Sequence, residues 1–151
     1  MSSTIAPPAV EEFRATVERS IEIDAPAEAI FESIIEDLQN IPDGKGKPMQ
    51  LKLEPFPGGR WYRDLGNNAG HLWGHVSVIK PPMLIEVFGP LMLSSAAINH
   101  VTFRVKEDGG VRRLIITHKI FGDFDPSIPA NVGGGWEMVA ARVKDAALKK
   151  R

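Results

Sequence analysis

One amphipathic segment closes this chain after a long stretch of strand-like sequence. It follows three glycines at residues 133–135, begins near Trp136, and repeats apolar residues at helical spacing. The stripe consists of Trp136, Val139, Ala140, Val143 and Ala147. A lone helix that follows a run of strands must bury such a stripe against the sheet. If the sheet is curved, helix and sheet enclose a cavity, and this arrangement predicts a small-molecule binding fold.

The rest of the chain predicts one early helix segment and a series of strands. Residues 16–23 alternate with a period of two, and Asp24 then supplies an N-cap for a helix that ends before Pro42. Turn signals rich in Gly, Pro and Asn separate the strands that follow. These strands are predicted at residues 49–53, 60–65, 71–79, 83–88, 99–105 and 111–121.

Length and composition limit the classes of function. The 151 residues predict a single domain over residues 15–151, with a flexible leader over residues 1–14. A net charge of -1 without a block of like charges argues against a nucleic-acid partner. No apolar run approaches the length of a membrane span, and the leader lacks a signal-peptide core, so the cytoplasm is the expected location. The absence of cysteine excludes thiolate chemistry, and no cofactor is predicted.

Four sequence motifs, in this order, resemble those of the SRPBCC (START-like) superfamily. They are IEIDAPAEAIF at residues 21–31, PGGRW at 57–61, a strand ending in a proline turn at 74–82, and LIITH at 114–118 with Gly135-Trp136. The subfamily that the chain resembles most is named after the activator of a heat-shock-protein ATPase. The resemblance implies an α+β helix-grip fold, in which a curved antiparallel sheet of six or seven strands wraps around a long C-terminal helix. It also implies two short helices early in the chain.

Strand parity assigns side chains to the inner face of the last two strands. Asn99 and His118 share that face with apolar residues, and buried polar groups either satisfy each other or meet a ligand. His118 is accordingly a core histidine bonded to backbone or water, or else a group that orients a ligand or acts as a general base. The predicted pocket residues are Trp61, Asn99, Phe103, Ile116, His118, Trp136 and Val139.

Trp73 is ambiguous, because its strand has two plausible phases. It shares one face with His71 and His75, while the other face looks like the better core face. An outward Trp73 favours a homodimer interface, whereas the opposite phase places it in the cavity. His71 and His75 lie ~13 Å apart on a strand at ~3.3 Å per residue, so no metal site is predicted there.

Three functional hypotheses follow. The first is binding of a small, largely hydrophobic molecule between the sheet and the C-terminal helix. The second is an enzyme of the polyketide-cyclase type, which the resemblance implies, with His118 as acid or base in the same cavity. The third is a module that regulates a chaperone ATPase through an exposed face. Fold alone does not choose among them.

Overall fold

A computed structural model describes residues 13–151, so the predicted leader lies outside the described residues except at its last two positions. The strands and helices follow one another as β1 (Arg14–Glu22), α1 (Ala27–Asp37), β2 (Leu51–Leu53), β3 (Arg60–Gly66), β4 (Ala69–Lys80), β5 (Leu84–Gly89), β6 (Ala97–Asp108), β7 (Val111–Gly122) and α2 (Ile128–Lys149). No helix within this range is both long enough and apolar enough to cross a membrane.

The seven strands form one antiparallel sheet in the order β1-β7-β6-β5-β4-β3-β2. The curved sheet holds α2 against β1, β7 and α1, and the core lies between these layers. This architecture confirms the predicted α+β helix-grip fold. It differs in one element, because the described chain has a single early helix, α1, where two short ones were expected.

Helix α1 begins without the side-chain cap that the sequence suggested. Pro26 occupies the N-cap position and makes no side-chain cap bond, and its fixed φ of -59° leads the chain directly into the helix. The prediction that Asp24 caps α1 is therefore wrong. The Asp24 carboxylate instead accepts a hydrogen bond from Arg151 at 3.0 Å, which connects the end of α2 to the loop before α1.

Helix α2 begins eight residues before the predicted start near Trp136. Pro129 lies in its first turn, where a missing N–H costs little, and the glycines at 133–135 are inside the helix. They therefore continue the helix rather than precede it. Gly133 is buried against β1, where an added Cβ would collide with the guanidinium of Arg19 and touch Val17. The close approach of helix and strand accounts for a glycine at this position.

We expect the three glycines of α2 to respond differently to alanine. An added Cβ at Gly134 or Gly135 meets no atom within 4 Å, so each alanine should stabilise the protein by about 0.5–1 kcal/mol through helix propensity. Gly133→Ala should gain less, because it displaces Arg19 from its 2.8 Å bond to Glu137. Urea unfolding of the three variants measures this. Equal stabilisation at all three positions would contradict the packing at Gly133.

A β-bulge decides the orientation of Trp73. Trp61 of β3 pairs with Gly74 of β4, and the next residue, Tyr62, pairs with Leu72, so Trp73 is an extra residue without a partner. The bulge turns Trp73 inward, where it is 3% exposed, and leaves Leu72 47% exposed. Of the two phases that the sequence left open, the structure therefore has the inward one, and Trp73 is not available as the interface residue of the outward phase. The homodimer loses its assigned interface residue and stays a prediction.

Candidate functional site

A buried chain of hydrogen bonds joins α2 to the middle of the sheet. Trp136 Nε1 donates to His118 Nδ1 at 3.0 Å, and His118 Nε2 lies 2.7 Å from Asn99 Oδ1. Asn99 Nδ2 then donates to the carbonyl oxygens of Gly89 and Pro90 at 3.2 and 3.1 Å. One chain thus connects α2, β7, β6 and the end of β5. Asn99 and His118 satisfy each other, which is one of the two alternatives that the sequence left open.

These contacts and the burial of the ring define the tautomer and the protonation state of His118. Its Nδ1 accepts a hydrogen bond from the indole N–H of Trp136, so the ring proton lies on Nε2, and this N–H donates to Asn99 Oδ1. Burial lowers the pKa of His118 to about 4, so the imidazole is neutral at physiological pH. Both ring nitrogens are engaged, and the side chain is fully buried. His118 therefore has no free atom with which to act as a general base.

The other predicted pocket residues in the sheet also lie in the packed core. Phe103 and Ile116 are buried, and Phe103 meets Trp136 edge to face with ring centroids 5.5 Å apart. Trp61 is fully buried and donates from Nε1 to the carbonyl oxygen of Leu38 at 2.9 Å. It therefore fastens β3 to the end of α1.

An apolar pocket opens beside this core, between α2, the loop after α1 and the loop after β5. Its volume is about 260 Å³. We call it the tryptophan pocket, and it is lined by Ile41, Pro42, Asp43, Gly44, Met49, Trp73, Met92, Gly135, Trp136 and Val139. Trp136 and Val139 are the predicted pocket residues that line it. Trp61, Asn99, Phe103, Ile116 and His118 are not among the lining residues.

Six of the ten described lining residues come from two loops, whose sequences have no strand or helix periodicity. The loop after α1 contributes Ile41 and Met49 among others, and it folds back on itself through an isolated bridge between Pro42 and Pro48. Met92 follows β5 and is 45% exposed. Methionine side chains are flexible and apolar and are common at adaptable binding surfaces. Met49 and Met92 are therefore the residues by which the sequence could have indicated this part of the pocket.

The lining of the tryptophan pocket is mostly apolar. Among the lining residues that the structure describes, Asp43 alone is ionisable, and its Oδ1 accepts hydrogen bonds from the backbone N–H groups of Lys45 and Lys47 at 2.8 and 2.9 Å. None of the other described lining residues has a nucleophilic side chain. Among residues 13–151, no three His, Asp or Glu side chains are grouped so that they could hold a metal ion. The pocket thus offers shape and apolar surface.

Comparisons with known proteins show the same fold at low sequence identity. An uncharacterised protein from Rhizobium leguminosarum is 18% identical, with a TM-score of 0.66 over 90% of this chain and 95% of that one. The Aha1 dimer from Colwellia psychrerythraea is 14% identical, with a TM-score of 0.62 over 88% and 96%. The di-domain ARO/CYC StfQ from the steffimycin biosynthetic pathway is 8% identical, with a TM-score of 0.67 over 93% and 53%.

No protein-family model and no curated protein matches the sequence. The structural likeness therefore shows the helix-grip fold alone. The proteins that share it carry different names, from the Aha1 dimer to a di-domain ARO/CYC. A function for this chain has to be argued from its own pocket.

Proposed function

We propose that this protein binds a small, largely apolar molecule in the tryptophan pocket. The observation that carries the proposal is the pocket itself, where two indoles and two methionines converge between α2 and the sheet. Its volume of about 260 Å³ lies just below the ~300–1,000 Å³ of pockets for drug-sized ligands. The ligand is therefore small, comparable to two fused rings.

The lining favours an aromatic ligand over an aliphatic one. Trp73 and Trp136 present planar rings, and the thioethers of Met49 and Met92 make favourable contacts with aromatic rings. The hydrogen bond from Trp136 to His118 fixes one of these indoles, so that part of the wall is formed before a ligand arrives. A preformed wall reduces the entropy that binding must overcome.

Gly135 offers a direct test of where the ligand binds. It lines the tryptophan pocket and has open space around its missing Cβ, so Gly135→Leu adds a side chain at the pocket. We expect this variant to weaken binding of 2-naphthol at least ten-fold, because the leucine occupies volume that the ligand needs. Titration followed by tryptophan fluorescence or by calorimetry measures the affinity.

The matched control is Gly134→Leu. Gly134 is the neighbouring residue of α2, it also has open space around its missing Cβ, and it does not line the pocket. Its affinity for 2-naphthol should stay within two-fold of the unaltered protein. Equal affinities for both variants would place the ligand elsewhere, and an unaltered protein that does not bind 2-naphthol would reject the proposed function for this ligand class.

A further inference from the structure

We propose that the ligand of the tryptophan pocket carries a hydrogen-bond acceptor and that Trp73 Nε1 is the donor that holds it. This inference rests on the proposed function and adds a chemical class to it. The ligand is then a neutral aromatic molecule with a hydroxyl or carbonyl oxygen. The acceptor is uncharged because an apolar lining does not compensate a full charge.

The first observation is an unsatisfied donor. Trp73 lines the tryptophan pocket and is 3% exposed, and its buried Nε1 has no hydrogen-bond partner among residues 13–151. Buried indole N–H groups in folded proteins usually have an acceptor, so this donor calls for an explanation. Nε1 itself is closed to solvent, so a ligand supplies the missing acceptor by displacing a side chain that covers the nitrogen.

The second observation is that no other side-chain donor is free among the lining residues that the structure describes. Of the lining residues that the structure describes, Asp43, Trp73 and Trp136 are the ones with nitrogen or oxygen in the side chain. Asp43 accepts from two backbone N–H groups of its own loop, and Trp136 donates to His118. Trp73 Nε1 is therefore the side-chain donor of the lining that a ligand can use without breaking an existing bond.

The competing partner for this donor is the ring of Trp61. The two indoles meet edge to face, with centroids 4.9 Å apart and planes at 70°. An N–H group that points at an aromatic face gains less than one that meets an oxygen. If the Trp61 ring already accepts a hydrogen bond from Nε1, an oxygen on the ligand will not raise the affinity through Trp73.

The test compares two ligands of the same shape in two proteins. 2-Naphthol and 2-methylnaphthalene differ by a hydroxyl in place of a methyl, and Trp73→Phe removes the donor but keeps an aromatic ring. We expect Trp73→Phe to weaken 2-naphthol about five-fold more than it weakens 2-methylnaphthalene. In the unaltered protein, the indole N–H resonance of Trp73 in a ¹⁵N correlation spectrum should move downfield with 2-naphthol and not with 2-methylnaphthalene.

The outcomes separate the two proposals. If both ligands bind and Trp73→Phe weakens them equally, with no downfield shift of the indole N–H, the donor role of Trp73 is overturned and the binding function stands. If neither ligand binds the unaltered protein, the proposed function fails. The resonance shift needs no substitution, so the inference stays testable even if Trp73→Phe does not fold.

Discussion

Replacing His118 with alanine is expected to reduce the free energy of unfolding by about 3–5 kcal/mol. The substitution opens a cavity in the fully buried core and removes two hydrogen bonds at once. Trp136 Nε1 loses its acceptor and Asn99 Oδ1 loses its donor. Each buried polar group left without a partner costs about 1–3 kcal/mol. Urea or thermal unfolding at pH 7 measures the loss.

Two variants show whether the hydrogen-bond chain is the cause. His71→Ala changes an exposed histidine and should stay within about 0.5 kcal/mol of the unaltered protein. Trp136→Phe keeps a ring but removes the donor to His118, and its cost should not add to that of His118→Ala, because both break the same bond. If His118→Ala costs less than about 1 kcal/mol, the chain does not stabilise the core.

The sheet was predictable because its turns and its alternation act locally. The strand at residues 111–121 was predicted within one residue of β7, and its inward phase placed Ile116 and His118 correctly in the interior. Asn99 and His118 stood out as polar residues in an apolar phase, and the structure joins them at 2.7 Å. A polar residue among the inward-facing apolar positions of a strand can be recognised from the sequence alone.

What the sequence did not predict depends on contacts between distant elements. The bulge at Trp73 is a property of the pairing between β3 and β4, so parity within β4 alone left the face of this residue open. Gly133 packs closely against β1, which explains why this position of α2 is a glycine. Helix propensity alone disfavours three glycines in a helix, so it did not predict that α2 includes them. The tryptophan pocket combines the loop after α1 with the bulged Trp73. The sequence pattern predicted neither the position of this loop nor the bulge.

The stability of this protein should fall as the pH is lowered from 7 toward 4. The folded state holds the pKa of His118 at about 4, whereas the ordinary value is 6.5, because burial disfavours the charged ring. Between these values, the unfolded chain binds a proton that the folded protein excludes, so the free energy of unfolding decreases with falling pH. The expected slope approaches about 1.4 kcal/mol per pH unit, and the loss totals about 3 kcal/mol.

Other titratable groups also change the free energy of unfolding with pH, so the slope measured on the unaltered protein alone does not isolate His118. Hydrogen bonds lower the pKa of Glu54, Asp64 and Asp125, whose contribution to stability is lost only in more acidic solution, and burial raises the pKa of Asp37, which acts in the opposite sense. The contribution of His118 is therefore the difference between the unaltered protein and His118→Gln in denaturant titrations from pH 7 to 5. Parallel curves would mean that His118 takes up its proton without unfolding, and the buried neutral imidazole at the centre of the hydrogen-bond chain would be refuted.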